Sequence, residues 1–166
     1  MAKIAVVMGS DSDYDVVKKG LDILKQFEVS CEVRVISAHR TPAEAEEFAK
    51  NAEQNGIELI IAAAGKAAHL AGVMAGISPL PVIGIPIKTS MMGGLDSLLS
   101  VVQMPKGVPV ATVAVDGAEN AALLAVQILS VKYPLLREKM IAYKANMHDE
   151  IIAKDQLMAE ETKQFL

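Results

Sequence analysis

Ile4-Ala5-Val6-Val7-Met8-Gly9-Ser10-Asp11-Ser12-Asp13 runs from a β-branched apolar stretch, through a glycine, into alternating serine and aspartate. Its apolar part reads as a first strand, Ile4 to Met8. Directly after the polar part, Tyr14 to Phe27 places Val16, Val17, Leu21, Leu24 and Phe27 at helical spacing. A strand that feeds a helix through a short polar turn is the opening half of a parallel β-α-β unit. In open α/β folds such turns lie at the carboxyl edge of the sheet, which is the edge that binds ligands.

Outward from this stretch the same order recurs. Cys31 to Ile36, with Val33, Val35 and Ile36, predicts a second strand, and Ser37-Ala38-His39-Arg40-Thr41-Pro42 follows it as a loop. Pro42 suits a first helical turn, where its missing N–H would have no partner in any case. That helix is expected to run to about Asn55 and to stop at Gly56. Leu59 to Ala63 is a continuous apolar strand of the kind buried on both faces. Next come a small-residue helix from about Ala67 to Gly76 and a fourth strand from Pro81 to Pro86. A helix from Leu95 to Gln103, a fifth strand from Val108 to Val115 and a helix from Ala118 to Val131 complete the alternation. Five strands with intervening helices imply an α/β fold, a three-layer doubly wound parallel sheet of flavodoxin or Rossmann type.

At 166 residues the chain suits a single domain spanning 1–166. Pro134 opens a long helical pattern to roughly Lys163. Its apolar residues Leu135, Leu136, Met140, Ile141, Met147, Ile151, Ile152 and Met158 exceed what the sheet can cover. The expectation is that this helix packs on a neighbouring subunit; the alternative is an amphipathic tail folded on its own domain.

Apolar residues make up 52% of the chain and aromatic ones 4%, with no Trp, a composition that favours small-residue helices packed on a sheet. A formal net charge of −4 without any Lys/Arg cluster argues against nucleic acid or an anionic membrane as partner. The single cysteine, Cys31, rules out an internal disulfide and suits a reducing cytoplasm. Ser10, Asp11 and Asp13 arrive too early for a signal peptide. Glu58, Lys66 and His69 interrupt the Ala-rich stretch from Ile57 to Gly76, so no membrane span is expected.

The edge loops carry the chemistry. A turn entering a helix leaves backbone N–H groups unpaired, and with the macrodipole they form an anion site. Ser10 and Ser12 can add hydroxyl donors, and Asp13 can accept from sugar hydroxyls; Ser and Asp also serve there as plain helix caps. In the second loop Arg40 can grip a phosphate with two donors. His39 has the side chain whose ordinary pKa lies nearest neutrality. The third edge, Gly65-Lys66-Ala67-Ala68-His69, has small residues that let a backbone approach a ligand closely. His69 suits either substrate contact or packing at a helix start. The loops point to a phosphorylated small molecule undergoing proton transfer.

Gly9-Ser10-Asp11-Ser12-Asp13, Ser37-Ala38-His39-Arg40-Thr41-Pro42, Ala67-Ala68-His69-Leu70, Gly94-Leu95-Asp96-Ser97-Leu98 and Val102-Gln103-Met104-Pro105-Lys106-Gly107-Val108-Pro109-Val110 together resemble the PurE family, the bacterial N5-carboxyaminoimidazole ribonucleotide mutases of purine biosynthesis. The resemblance runs in order from Ile4 to about Leu129. It implies transfer of a carboxyl group from an exocyclic amine to a ring carbon by decarboxylation and recarboxylation, without metal or organic cofactor. It implies that His39 is the general acid and base, that Ser10, Ser12 and Arg40 hold the phosphate beside Ser37, and that Asp13 holds the ribose. Gly65 and the backbone around Ala67 and Ala68 would enclose the carboxylate or carbon dioxide, with His69 shaping that loop in a dry, closed pocket. It also implies a homo-octamer.

Lys66 departs from the family pattern, which usually has Gly-Gly-Ala-Ala-His-Leu-Pro here, and Lys88 stands where glutamine is more usual. Lys66 leans toward the related direct carboxylases, which use free carbon dioxide, and is counted with the substrate-binding residues. Arg40, Ala67-Ala68-His69 and Gln103-Met104-Pro105 lean toward the mutases, which is the reading adopted. A direct carboxylase and a non-catalytic phosphosugar-binding module are the alternatives. A phosphoacceptor domain would need an aspartate where Ala63 and Ala64 stand. His39, His69 and His148 show no metal-ligand spacing with acids or cysteines.

Overall fold

Lys3–Met8 forms β1 in a computed structural model that describes residues 2–165. A 3-10 turn at Asp11–Asp13 leads into α1 (Tyr14–Gln26), and the chain continues through β2 (Ser30–Val35), α2 (Pro42–Asn51), β3 (Ile60–Gly65) and α3 (Leu70–Ile77). It proceeds through β4 (Val82–Ile87), α4 (Leu95–Val102), β5 (Ala111–Thr112), α5 (Ala118–Leu129) and α6 (Pro134–Thr162), ending in a 3-10 turn at Lys163–Phe165. All strand pairs are parallel, in the order β2-β1-β3-β4-β5. The predicted doubly wound sheet is therefore present, in its flavodoxin-like order, with the direction of winding reversing between β1 and β3.

Alternation along the strands separates two cores. Ile4, Val6, Met8, Ile61, Ala63, Ile83 and Ile85 face α1, α5 and the start of α6, whereas Ala5, Val7, Ile60, Ala62 and Val82 face α2, α3 and α4. Period-2 geometry puts successive side chains on opposite faces, so strands apolar throughout need helices on both. β2 is the exception. It lies at the sheet edge, and Val33 and Val35 remain exposed.

Three boundaries differ from expectation for physical reasons. β5 pairs over only two residues, not from Val108 to Val115, because Pro109 has no N–H to give a ladder. Beside it, Pro86 is tolerated inside β4 because its nitrogen faces the β5 side beyond that short ladder; its carbonyl accepts from Asp116 N at 2.9 Å. α3 starts at Leu70, not about Ala67, and α2 ends at Asn51 with turns up to Gly56.

α6 has 29 residues, about 44 Å at 1.5 Å per residue. Only Leu136 and Met140 are buried, while Ile141, Met147, Ile151, Ile152, Leu157 and Met158 are exposed. Its first turns are pinned by Tyr143 against Phe27, ring centroids 5.6 Å apart, and by Lys139 to Glu28 at 2.7 Å. Among the described residues no helix is long and apolar enough to cross a membrane.

Candidate active site

The loops after β1, β2, β3 and β4 converge on one cleft of about 600 Å³ at the carboxyl edge, beside the β1/β3 switch point. Its size suits a small-molecule ligand. Ser10, Ser12, Asp13, Ser37, His39, Arg40, Gly65, Lys66, Ala67 and His69 all line it, so the sheet brings together nearly every residue singled out from the sequence. Ala68 does not line it: its side chain is fully buried under β3.

The first loop is folded on itself. Ser10 Oγ accepts from Ser12 N at 3.3 Å and from Ser12 Oγ at 2.9 Å, so Ser10 caps the 3-10 turn as well as facing the cleft. Asp13 is buried at the entry to α1. Burial pushes its carboxyl above the ordinary range against hydrogen bonds from Ser12 and the Ser10 backbone, and repulsion from Asp11 and Asp116 adds to the rise.

The second loop reaches in two directions. Arg40 donates from Nη2 to Gly9 O at 2.8 Å and from Nε to Ser37 Oγ at 3.2 Å, tying the β2 loop to the β1 loop. Thr41 Oγ1 closes the turn by donating to Ser37 O at 2.9 Å. The adjacent His39 turns the other way, its Nε2 lying 2.9 Å from His69 Nδ1 in the β3 loop. The two neighbours therefore serve different loops, Arg40 the β1 loop and His39 the β3 loop.

In the β3 loop, Lys66 has a left-handed φ of 57°, and His69 N donates to Ala67 O at 2.8 Å. These two features delay α3 to Leu70 and leave Lys66, Ala67 and His69 in the cleft wall. The β4 loop adds Ile87, Lys88, Thr89 and Ser90, which the site expectation lacked. The signal was available, since the carboxyl-edge rule applies to the fourth strand as to the first three. This loop is held from behind: Thr89 Oγ1 donates to Asp96 Oδ1 at 2.8 Å, and Ser97 Oγ donates to Ile87 O at 2.7 Å. Gly94 has φ 102° and room for no side chain, since a Cβ would lie 2.5 Å from Val115 Cγ1. The Gly94 to Leu98 motif thus supports the cleft without lining it.

His39, Arg40, Lys66, His69 and Lys88 are all exposed, so the cleft of one chain is open, unlike the closed pocket anticipated. Among the described residues no three His, Cys, Asp or Glu cluster as metal ligands. What the wall does offer is hydroxyls and a guanidinium for a phosphate, a carboxyl for sugar hydroxyls, and imidazoles for a proton.

A family model described as AIR carboxylase matches residues 3–150. The chain is 58% identical to the N5-carboxyaminoimidazole ribonucleotide mutase of Pyrococcus abyssi, covering 89% of this chain and 84% of that protein. It is 52% identical to the enzyme of that name from Thermotoga maritima, covering 96% and 94%. The crystal structure of Treponema denticola PurE superimposes with a TM-score of 0.87 at 28% identity, covering 94% of this chain and 98% of that one. On a match of this length, with relatives of this identity, the chain belongs to the AIR carboxylase family.

Proposed function

We propose that the protein is an N5-carboxyaminoimidazole ribonucleotide mutase, producing 4-carboxy-5-aminoimidazole ribonucleotide in purine biosynthesis. The observation that carries the reading is the split between Arg40 and His39. One binds back toward Ser37 and Gly9 at the anion end, and the other meets His69 2.9 Å away at the opposite side. The names of relatives at 52–58% identity support the same activity.

In this reading Ser10, Ser12 and Arg40 hold the phosphate, Ser37 orients Arg40, and Asp13 takes the ribose hydroxyls. The N–C bond of the carboxyamino group breaks, its electron pair stays on nitrogen, and His39 delivers a proton there. Carbon dioxide is retained against Gly65, Ala67 and the Ala68 backbone. The ring carbon then attacks it, and the proton displaced from that carbon returns to His39. One proton is lent and one recovered, so no external acid, base or cofactor is consumed. A positioned acid-base group of this kind contributes on the order of 100- to 10,000-fold.

We assign the chain to a single domain, a cytoplasmic location and a homo-octamer. The reducing-compartment argument from Cys31 supports the location, and the exposed apolar side of α6, Ile141 to Met158, supports packing on neighbouring copies. Light scattering on the purified protein should return the mass of eight chains; a monomer would remove this assignment.

The test of function is conversion of two substrates. Product from the carboxyamino ribonucleotide without added bicarbonate establishes the mutase. Efficient turnover of aminoimidazole ribonucleotide with bicarbonate instead makes the protein a direct carboxylase, the reading that Lys66 favours. Turnover of neither leaves a binding module.

A further inference from the structure

The last paired residues of β3 and β4 are Gly65 and Ile87, so Lys66 and Lys88 leave adjacent parallel strands from the next register position. Both line the cleft. Paired strands lie about 5 Å apart, so the loops that carry the two lysines start side by side in the cleft wall. Among the described residues neither lysine takes part in an ion pair. The carboxylate of Asp116 holds the start of the β4 loop, its Oδ1 accepting from the Lys88 backbone N–H at 2.8 Å.

Lys66 also holds a left-handed backbone conformation, φ 57°, that L side chains rarely adopt. Backbone strain and two cations without an ion-pair partner thus coincide in one cleft wall, and strain of this kind concentrates at functional sites. This wall is not the phosphate end, because Arg40 is bound to Gly9 and Ser37 across the β1 and β2 loops. Lys66 instead shares its loop with His69, the partner of His39.

From this geometry, and resting on the ribonucleotide reading above, we propose that Lys66 and Lys88 form a second anion subsite that binds the migrating carboxylate. Substrate and product both carry that carboxylate, whereas the carbon dioxide between them is neutral. The lysine pair therefore stabilises both ends of the reaction over its middle. It is a device for affinity and for recognising the carboxylated nucleotide, and it does not lower the chemical barrier.

The test is calorimetric titration with two nucleotides, 4-carboxy-5-aminoimidazole ribonucleotide and aminoimidazole ribonucleotide, which lacks the carboxylate. The variants are Lys66→Asn, whose side chain tolerates the left-handed conformation, Lys88→Gln, the double variant and Lys66→Arg. The double variant should lose about tenfold in affinity for the carboxylated nucleotide. Its affinity for the amino nucleotide should stay within about twofold, a shift of roughly 0.4 kcal/mol. Lys66→Arg should retain the preference, and in turnover the loss should appear in KM without a fall in kcat. Equal losses for the two nucleotides, or no loss, overturn the subsite while leaving the ribonucleotide reading intact. Failure of the unmodified protein to bind either nucleotide overturns both.

Discussion

His39 Nε2 and His69 Nδ1 lie 2.9 Å apart, with the rings meeting edge-on at 76° and centroids 4.9 Å apart. Two N–H groups cannot face each other at that distance, so one nitrogen donates and the other accepts. The tautomer of either ring then fixes that of its partner, and in the proposed mechanism His69 positions His39. His39→Asn should lower kcat by about 100- to 10,000-fold with nucleotide binding retained. His69→Ala should lower kcat less, and the double variant should be no worse than His39→Asn alone, since groups acting as a unit are not additive. Multiplicative losses in steady-state kinetics would show that the two histidines act independently.

In the proposed function Asp13 sets binding against stability. It lies at the N-terminal end of α1, where the helix dipole stabilises a carboxylate by about 0.3–1 kcal/mol. Burial nevertheless outweighs this and, with Asp11 and Asp116 adding to it, holds the carboxyl above its ordinary range. A raised folded-state pKa means that the ionised group destabilises the fold above the unfolded-state value of about 3.9. That penalty fades as pH falls through the raised value. Asp13→Asn should stabilise the free protein at pH 7 by on the order of 1 kcal/mol and weaken nucleotide binding. Melting curves at neutral and acid pH check it: the variant's advantage should disappear in acid, and a variant less stable at neutral pH contradicts the assignment.

Much of this was legible in the sequence because period and punctuation agreed. Ile60 to Ala63 is apolar throughout because helices cover both faces of β3, and Pro42 and Pro134 each mark a first helical turn as expected. The site was legible where a β-branched run ends in polar residues, as at Ser10 to Asp13 and Ser37 to Arg40. What escaped depends on tertiary context. Lys66 turns left-handed and delays α3, which no propensity scale for lysine anticipates. Ala68 looks like its neighbour Ala67, and only the turn between them sends one to the cleft and the other to the core. Lys88 to Ser90 follows a strand end as the other site loops do, but only the β4 register places it beside Lys66.

Two glycines with similar helical settings should respond oppositely to alanine. At Gly20 in α1, an added Cβ would lie 2.7 Å from Ala118 O, a backbone atom of α5 that cannot move cheaply. The gain of about 1 kcal/mol in helix propensity is then outweighed by overpacking of about 1–3 kcal/mol. At Gly76 in α3, the nearest atom is Val108 Cγ1 at 4.0 Å, an ordinary contact. Gly76→Ala should therefore raise stability by about 0.5 kcal/mol, while Gly20→Ala lowers it by roughly 1 kcal/mol. Urea denaturation of the two variants gives the comparison, and stabilisation at both positions would mean that the α1–α5 approach is looser than described.

Glu58 tethers the start of α6 to the strand it precedes. Its Oε2 meets Lys132 Nζ at 2.6 Å, its Oε1 accepts from Tyr133 OH at 2.5 Å, and its N–H donates to Lys3 O at 2.9 Å. Burial opposes ionisation here and is the largest single influence, but hydrogen bonds from Lys132 and Tyr133 with the Lys132 charge together hold the carboxyl below its ordinary value. A lowered folded-state pKa contributes stability that is present above the unfolded-state value, about 4.3, and is lost as pH falls through the folded-state value. Lys132 is 68% exposed, so solvent weakens its share, while the Tyr133 hydrogen bond is insensitive to salt. Glu58→Gln should lower stability at pH 7 by about 1 kcal/mol, with at least half of the difference surviving in roughly 1 M salt. In acid below both carboxyl values the variant and the parent should melt together. A difference that persists there would assign the effect of Glu58 to packing at the α6 junction instead of to its charge.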